Sequence, residues 1–350
     1  MRGLRAGIGN KPLRRPARWG SKVGLAESCG GAEGTPAPQI ETKLGSGSYK
    51  RLMSAMLNPP AEMPCRICGS SAGFIGRKAG KFARIDFNLY RCPDCGLAFV
   101  GNPITDHKAV YSEDFYKGRG ADPMVDYEFE LYHPQETVRI YEWRGILRVV
   151  TALRGDTKGC RWLDFGCGNG GLVRHLREKG AADAVGFDEG WIADRARALG
   201  IPILRSDELA SHRGAFDVVT AMEVFEHLPD PLSSLRDIRA LMRPGGLLFY
   251  TTGNARPYRN ALIAWPYVLP EVHVSFYEPR TLHRLLGRTG FSTEQRGFVP
   301  GFEDIIRFKV LKNLRLRTTA TWEKAMPWPL ISRIVDARYG VTAHPVAWAA

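Results

Sequence analysis

From residue 161 onward, short apolar runs alternate with stretches whose apolar residues recur every three or four positions. "RWLDF", "AVGFD", "IPIL", "FDVVTAM" and "LLFYTT" read as strands, with helices near 170–179, 190–199 and 231–242 between them. Five strands separated by helices predict a parallel, doubly wound α/β sheet over 159–300. "PRTLHRLLGRTGF" adds a helix with Leu282, Leu285 and Leu286 on one face and Gly290 as its stop, and "FSTEQRGF" a sixth strand. Residues 301–350 read as C-terminal helices, "DIIRFKVLKNLRL" and "PLISRIVDARYG", with "GVTAHPVAW" as a last strand.

Upstream, the periods change. From Pro134, the positions of Val138, Tyr141, Ile146 and Val149 predict a helix, so 102–158 reads as a helical linker or cap rich in Tyr, Glu and Arg. Residues 61–101 form a small unit. In it, Phe82, Arg84 and Asp86 alternate with Ala83, Ile85 and Phe87 as in a strand, and "LAFV" is another. Residues 1–60 show no apolar period, are rich in Gly, Pro, Ser and Arg, and read as a disordered basic tail. Met53, Met56 and Met63 are alternative starts nearer the ordered part, and the Arg-rich beginning also resembles a transit peptide without a secretory segment.

Charge adds one point. The chain of 350 residues carries +13. Residues 1–60 hold ten Lys/Arg against three acids and 305–350 hold eight against two, leaving 31 of each sign between them. A balanced body argues against a nucleic-acid partner and for solvated basic ends. No apolar run approaches the length of a transmembrane helix, which leaves peripheral membrane contact as the membrane option. Seven cysteines, four of them in two C-x-x-C pairs, suit metal binding in a reducing, cytoplasmic setting better than disulfides.

The candidate chemistry begins at "RWLDFGCGNGG". Glycines after a first strand serve any nucleotide, because they let backbone approach the ligand and open a helix N-terminus. Asp164 stands two residues before the first glycine, where a carboxylate would crowd a pyrophosphate but suits a cationic amino-acid end. Asp188, 24 residues on, can accept from ribose hydroxyls. Asp207, after the third strand, is placed for an adenine amine. Together with "VGFD", "FDVVTAMEVFEHLPDPLSSLRDI", "MRPGGLLFYTT" and "HVSFYEPRTLHRLLGRTGF", this set resembles the class I S-adenosylmethionine-dependent methyltransferases, a Rossmann-like fold. Within them it is similar to the ubiquinone-pathway O-methyltransferases. The resemblance implies S-adenosylmethionine as cofactor and a methyltransferase activity. It carries over Asp164, Gly166, Cys167, Gly168, Asp188, Asp207 and Glu223 as contacts, with Gly170 and Gly171 left to close packing.

"EVFEH" places Glu223, Glu226 and His227 at i, i+3 and i+4, one face if helical, at the end of the fourth strand. Three readings stay open. His227 is a general base oriented by Glu226. Or, as the resemblance to the ubiquinone-pathway enzymes implies, where this stretch is associated with a divalent metal, the three residues hold Mg²⁺ or Zn²⁺. Or Glu223 touches the cofactor while His227 packs locally. His273, in "EVHVSFYEP", is a second catalytic candidate. Residues 254–278, with Trp265, Tyr267 and several prolines, read as an apolar lid on the acceptor.

Cys65-x-x-Cys68 and Cys92-x-x-Cys95, each followed by glycine, form two zinc knuckles in one short unit, a closed structural Zn²⁺ site. A zinc ribbon before such a domain also resembles sugar C-methyltransferases, whose long C-terminal extension is missing from this chain. The ribbon is expected to cover the active-site mouth or to organise a subunit contact. The expected acceptor is a small molecule or a sugar or lipid-linked glycan, methylated at oxygen. Two alternatives differ in class. An RNA- or protein-modifying methyltransferase would dock through the ribbon, with Phe82, Arg84, Tyr90 and Arg91 as its only hint. A non-catalytic cofactor-binding module would serve assembly.

Overall fold

The computed structural model describes residues 59–81, 83, 85–104, 110–119 and 126–350. The expected tail up to residue 58, with Cys29, Met53 and Met56, and the residues Phe82 and Arg84 lie outside the described residues.

The first sheet opens with β1 (Glu62–Pro64), β2 (Ser71–Ala79), β3 (Asp86–Arg91) and β4 (Ala98–Val100), paired antiparallel in chain order. Of the alternation expected at 82–87, β3 takes in Asp86 and Phe87, and β2, whose five small residues hide its period, is an addition. Between strands, each C-x-x-C pair folds into a tight knuckle. Gly69 N–H donates to the Cys65 carbonyl at 2.9 Å and Gly96 N–H to the Cys92 carbonyl at 3.1 Å. These two glycines sit at φ +80° and +81°, which explains why each pair is followed by one.

The linker holds an irregular helical turn (Phe115–Arg119), α1 (Tyr127–Tyr132) and α2 (Arg139–Arg154). Asp126 caps α1 by accepting from Phe129 N–H at 3.0 Å. The second sheet follows with β5 (Arg161–Phe165), α3 (Gly171–Glu178), β6 (Asp183–Phe187), α4 (Trp191–Ala198), β7 (Ile203–Leu204), β8 (Phe216–Met222), α5 (Pro231–Leu241) and β9 (Met242–Thr251). The five strands are parallel in the order β7-β6-β5-β8-β9, as the pattern predicts. Between β7 and β8 there is only a 3₁₀ turn, Leu209–His212, rather than a helix.

Then come β10 (Ser275–Phe276), α6 (Pro279–Gly287), β11 (Phe291–Glu294), α7 (Phe302–Asn313), α8 (Thr321–Lys324), α9 (Trp328–Tyr339) and β12 (Val346–Ala349). The final strand inserts between β9 and β11 and runs antiparallel to both. Its apolar "VAWA" run fits a slot buried on both sides. Gly145 lets α2 approach α7, because a Cβ there would lie 2.8 Å from the Gly301 carbonyl oxygen.

The cysteine unit and the α/β unit share one core. Cys65, Cys92, Cys95 and Phe99 pack in the same apolar cluster as Phe225, Tyr277, Leu282 and Leu285. β10 extends the first sheet by pairing with β4, Ser275 opposite Phe99 and Phe276 opposite Ala98. The segment between the two halves of the α/β unit thus completes the cysteine sheet.

Candidate active site

The glycine loop joins β5 to α3. Gly166 has φ +75°, and a Cβ there would lie 2.6 Å from Val224 Cγ2, so no other residue fits this turn. A Cβ on Gly171 would lie 2.1 Å from the Trp143 ring, which bears out its packing role. Asp188, at the end of β6, accepts from Gly168 N–H at 2.7 Å, and burial raises its carboxyl to about 6. Asp164, in β5, accepts from Thr220 Oγ1 at 2.8 Å and is raised to about 7, again by burial. The two carboxyls stand at the carboxyl ends of neighbouring parallel strands, the edge where doubly wound sheets hold ligands. Tyr116 and Tyr127 add an aromatic wall that sequence reasoning saw only as tyrosine-rich. The Tyr127 ring would meet a Cβ on Gly168 at 3.1 Å, and the Tyr116 hydroxyl a Cβ on Gly190 at 2.9 Å.

Two expected contacts sit differently. Cys167 is buried with its thiol against Gly186, its N–H given to the Phe187 carbonyl and its carbonyl taken by Gly170 N–H. Its thiol and backbone polar groups are engaged with neighbouring backbone. Asp207 lies exposed on the turn after β7.

"EVFEH" is not an α-helix. Glu223 has φ +54°, and only Phe225–His227 make a 3₁₀ turn. The expected single face is therefore replaced by convergence through other elements. Glu223 accepts from Thr251 Oγ1 at 2.8 Å and from Lys309 Nζ at 2.9 Å. Burial alone would raise its pKa, but Lys309 on α7 outweighs burial and holds it well below the carboxylate range. Glu226 is fully buried, accepts from Thr252 Oγ1 at 2.8 Å, and pairs with the Tyr267 hydroxyl. Burial, then the Glu223 charge, raises Glu226 to about 8, so it holds a proton at neutral pH. The Tyr267 hydroxyl oxygen also lies 3.2 Å from Glu223 Oε2 and so stands between the two acids.

The histidines converge from different segments. His227 Nδ1 lies 2.9 Å from both the Val272 carbonyl and the Tyr111 hydroxyl, which orient it. His273 Nδ1 lies 2.6 Å from the Tyr267 carbonyl, and the two imidazole centroids are 4.9 Å apart. A carbonyl can only accept, so both rings carry their proton on Nδ1 and their lone pair on Nε2. Among the described residues, Glu226, His227 and His273 bring ligand atoms within 4.8 Å of one another, a group that Glu223 does not join.

A buried chain of charges backs this cluster. Asn169 of the glycine loop reaches Glu130 at 3.3 Å, Arg139 joins Glu130 (3.0 Å) to Glu142 (2.8 Å), and Lys309 lies 3.7 Å from Glu142. On the other side, a cavity of about 230 Å³ is lined by Glu223, Trp265, Phe302, Lys309, Tyr339 and His344 among others. Trp265 stacks between Tyr258 and Tyr267 with centroids 4.7 and 4.8 Å away, which gives the lid expected over 254–278 its apolar wall.

Away from these groups, Cys65 Sγ lies 3.5 Å from Cys95 Sγ and Cys68 Sγ 3.4 Å from Cys92 Sγ. All four sulfurs lie within 4.8 Å of one another. Tetrahedral zinc with Zn–S bonds of about 2.3 Å puts sulfurs about 3.8 Å apart, so the group fits that ion.

A methyltransferase-domain family matches residues 136–296. The chain is 34% identical over 206 residues to a ubiquinone biosynthesis O-methyltransferase of Aeromonas salmonicida, which covers 53% of this chain and 83% of that one. It is 35% identical over 159 residues to the Bordetella avium protein of the same name, 41% of this chain and 61% of that one. Across such relatives the chain spans between 53% and 83% of their length. A solved S-adenosylmethionine-dependent methyltransferase from Mesorhizobium loti is 19% identical, covering 51% of this chain and 96% of that one, at a TM-score of 0.36. With a glycine loop, two strand-end carboxyls and relatives at this identity, the chain belongs to the S-adenosylmethionine-dependent methyltransferases.

Proposed function

We propose that this methyltransferase acts on a hydroxyl oxygen of a small-molecule acceptor, with His227 as the base that takes the hydroxyl proton. One observation carries the reading. His227 and His273 both commit Nδ1 to backbone carbonyls, which concentrates their basicity at Nε2 beside a buried acid pair. When bound, S-adenosylmethionine supplies an electrophilic sulfonium methyl group. Asp164, Asp188, Gly166 and Gly168 would hold it, while Glu223 would face it from the end of β8. Glu226, holding a proton, and Tyr267 keep the acid pair from doubling its negative charge. The cavity beyond Glu223 would align the acceptor, the main demand of an in-line displacement. The names of the relatives support oxygen as the methylated atom. A sugar or lipid-linked glycan is the other acceptor class that the cysteine unit suggests.

The Glu226, His227 and His273 group favours a second reading, a catalytic metal. Two imidazoles and one carboxylate suit Zn²⁺ and do not fit Mg²⁺, which prefers oxygen ligands. The option of Mg²⁺ at Glu223, Glu226 and His227 is therefore unsupported. The four cysteines would hold a structural zinc, and the units over 61–101, 102–158, 159–300 and 301–350 would act as one body around the site.

The test is product analysis by mass spectrometry after incubating the chain and S-adenosylmethionine with phenolic, catecholic and sugar acceptors. A methyl ether on an acceptor oxygen is the expected product. Methylation confined to nitrogen, carbon, RNA or protein would overturn the reading.

The cofactor side makes its own prediction. Asp188→Ala is expected to weaken S-adenosylhomocysteine binding by about 1.5–3 kcal/mol, the loss of charge-assisted hydrogen bonds, read by calorimetry. Burial raises the Asp188 carboxyl to about 6, so it protonates at higher pH than an ordinary aspartate. Wild-type affinity should therefore fall as pH drops through about 6, and the alanine variant should lack that part of the fall. An affinity unchanged by the substitution would remove Asp188 from the cofactor site.

A further inference from the structure

The C-terminal arm has a surface that the methyl-transfer site does not use. Ten large apolar side chains are exposed among the described residues, and six of them fall between 314 and 339. These are Leu314, Trp322, Met326, Leu330, Ile334 and Tyr339, from 41% to 61% exposed. The middle four recur every fourth position, and on α9 Leu330 and Ile334 stand one turn apart, opposite buried Trp328 and Ser332. Such crowding on a soluble monomer marks an interaction surface rather than chance exposure.

The charge on this arm is one-sided. Arg315, Lys324, Arg333 and Arg338 are exposed beside the apolar residues. The two acids in the same stretch are already engaged. Glu323 is fully buried against Arg307 and the Tyr141 hydroxyl, and Asp336 accepts from Thr342 N–H and Oγ1 at 2.8 Å. The surface thus offers tryptophan, leucine, isoleucine and methionine among uncompensated cations. A protein partner would normally be met with charges of both signs, whereas this combination complements the headgroups and acyl boundary of an anionic bilayer. Among the described residues no helix is long and apolar enough to cross a membrane, so contact here would be superficial.

We infer that the arm from Leu314 to Tyr339 docks this enzyme on an anionic lipid bilayer. Tyr339, at the end of α9, also lines the cavity beside Glu223, so docking sets the cavity rim at the lipid surface. Of the eight basic residues of 305–350, Arg307 and Lys309 serve buried acids and Arg317 pairs with Asp126, while the exposed Arg315, Lys324, Arg333 and Arg338 face headgroups.

The test uses the full chain in co-sedimentation with vesicles of phosphatidylcholine alone and of phosphatidylcholine with one quarter phosphatidylglycerol. Wild type should partition onto the anionic vesicles at low salt and much less onto the neutral ones. Leu330→Ser with Ile334→Ser, and separately Lys324→Glu with Arg338→Glu, should each lower that partition by about tenfold or more. Thermal midpoint and S-adenosylhomocysteine affinity should stay at wild-type values, which separates lost docking from lost folding or a failed cofactor site. Wild type that ignores anionic vesicles would overturn the inference. So would variants that bind as wild type does, since the basic N-terminal residues would then suffice. Sedimentation velocity showing a dimer that dissociates in the Leu330→Ser, Ile334→Ser variant would instead assign the surface to a second copy of the chain, also overturning it.

Discussion

Replacing His227 by alanine is expected to lower kcat by about 10²–10⁴-fold, the usual contribution of a positioned general base. The expectation follows from where its lone pair is held. Val272 accepts from Nδ1, so Nε2 is the proton-accepting atom, and its ring stands 4.9 Å from that of His273. The hydrogen bonds of His227 Nδ1 go to the Val272 carbonyl and the Tyr111 hydroxyl, whereas Asp188 is held by Gly168 N–H, so cofactor affinity should stay nearly unchanged. The variant should also lose the acidic limb of the pH–rate profile. His273→Ala is the companion measurement. A small effect at His227 with a large one at His273 would transfer the base to the second ring. The metal reading predicts otherwise. Glu226→Ala and His273→Ala would then be about as damaging as His227→Ala, and a mild chelator that spares the cysteine site would abolish activity until Zn²⁺ is restored.

The second large effect is expected at the cysteines. Cys92→Ser with Cys95→Ser should yield protein without bound zinc and with a thermal midpoint lower by about 10 °C. At about 2.1 cal/mol/K of unfolding entropy per residue, that shift takes a loss of about 7 kcal/mol in a chain of this size. Zinc contributes more than that to small finger domains, about 10–16 kcal/mol. An isolated ribbon could unfold without harming its neighbour, but this one cannot. Cys92 and Cys95 share a core with Phe225 and Leu282, and Thr281 Oγ1 donates to the Cys95 carbonyl at 2.7 Å. Backbone bonds continue the connection into the site, from Val100 N–H to the Val274 carbonyl (3.0 Å) and from Val274 N–H to the Glu226 carbonyl (2.7 Å). The variant should therefore lose turnover along with stability. Metal analysis that finds no zinc in wild type, or a variant with an unchanged midpoint, would contradict this.

How much of this was legible depends on the range of the forces involved. The glycine loop was readable because its constraint is local. At Gly166 a positive φ and the Val224 methyl 2.6 Å from any Cβ leave one residue type. The parallel strands were readable because strands buried on both faces need continuous apolar runs. The knuckles were readable because thiolate spacing and the following glycine lie within five residues. "EVFEH" misled, since the i, i+3, i+4 argument assumes helical backbone and Glu223 turns left-handed instead. Tyr267 was seen as part of a lid, yet its hydroxyl stands between Glu223 and Glu226. Lys309 and the Glu130–Arg139 pair carried no local sign, because their partners lie on other elements, and only the Arg139–Glu142 link, three residues apart on α2, is local. The slot taken by β12 was equally hidden, set by pairing with β9 about a hundred residues upstream.

The central claim is that the loop between β5 and α3, with Asp188 opposite, holds S-adenosylmethionine rather than a dinucleotide. Calorimetric titration of the full chain with S-adenosylhomocysteine, and in parallel with NAD, tests it most directly. Saturable binding of S-adenosylhomocysteine at one site per chain, with no measurable heat from NAD, is the predicted result. Comparable affinity for NAD, or no binding of S-adenosylhomocysteine to folded protein, would contradict it.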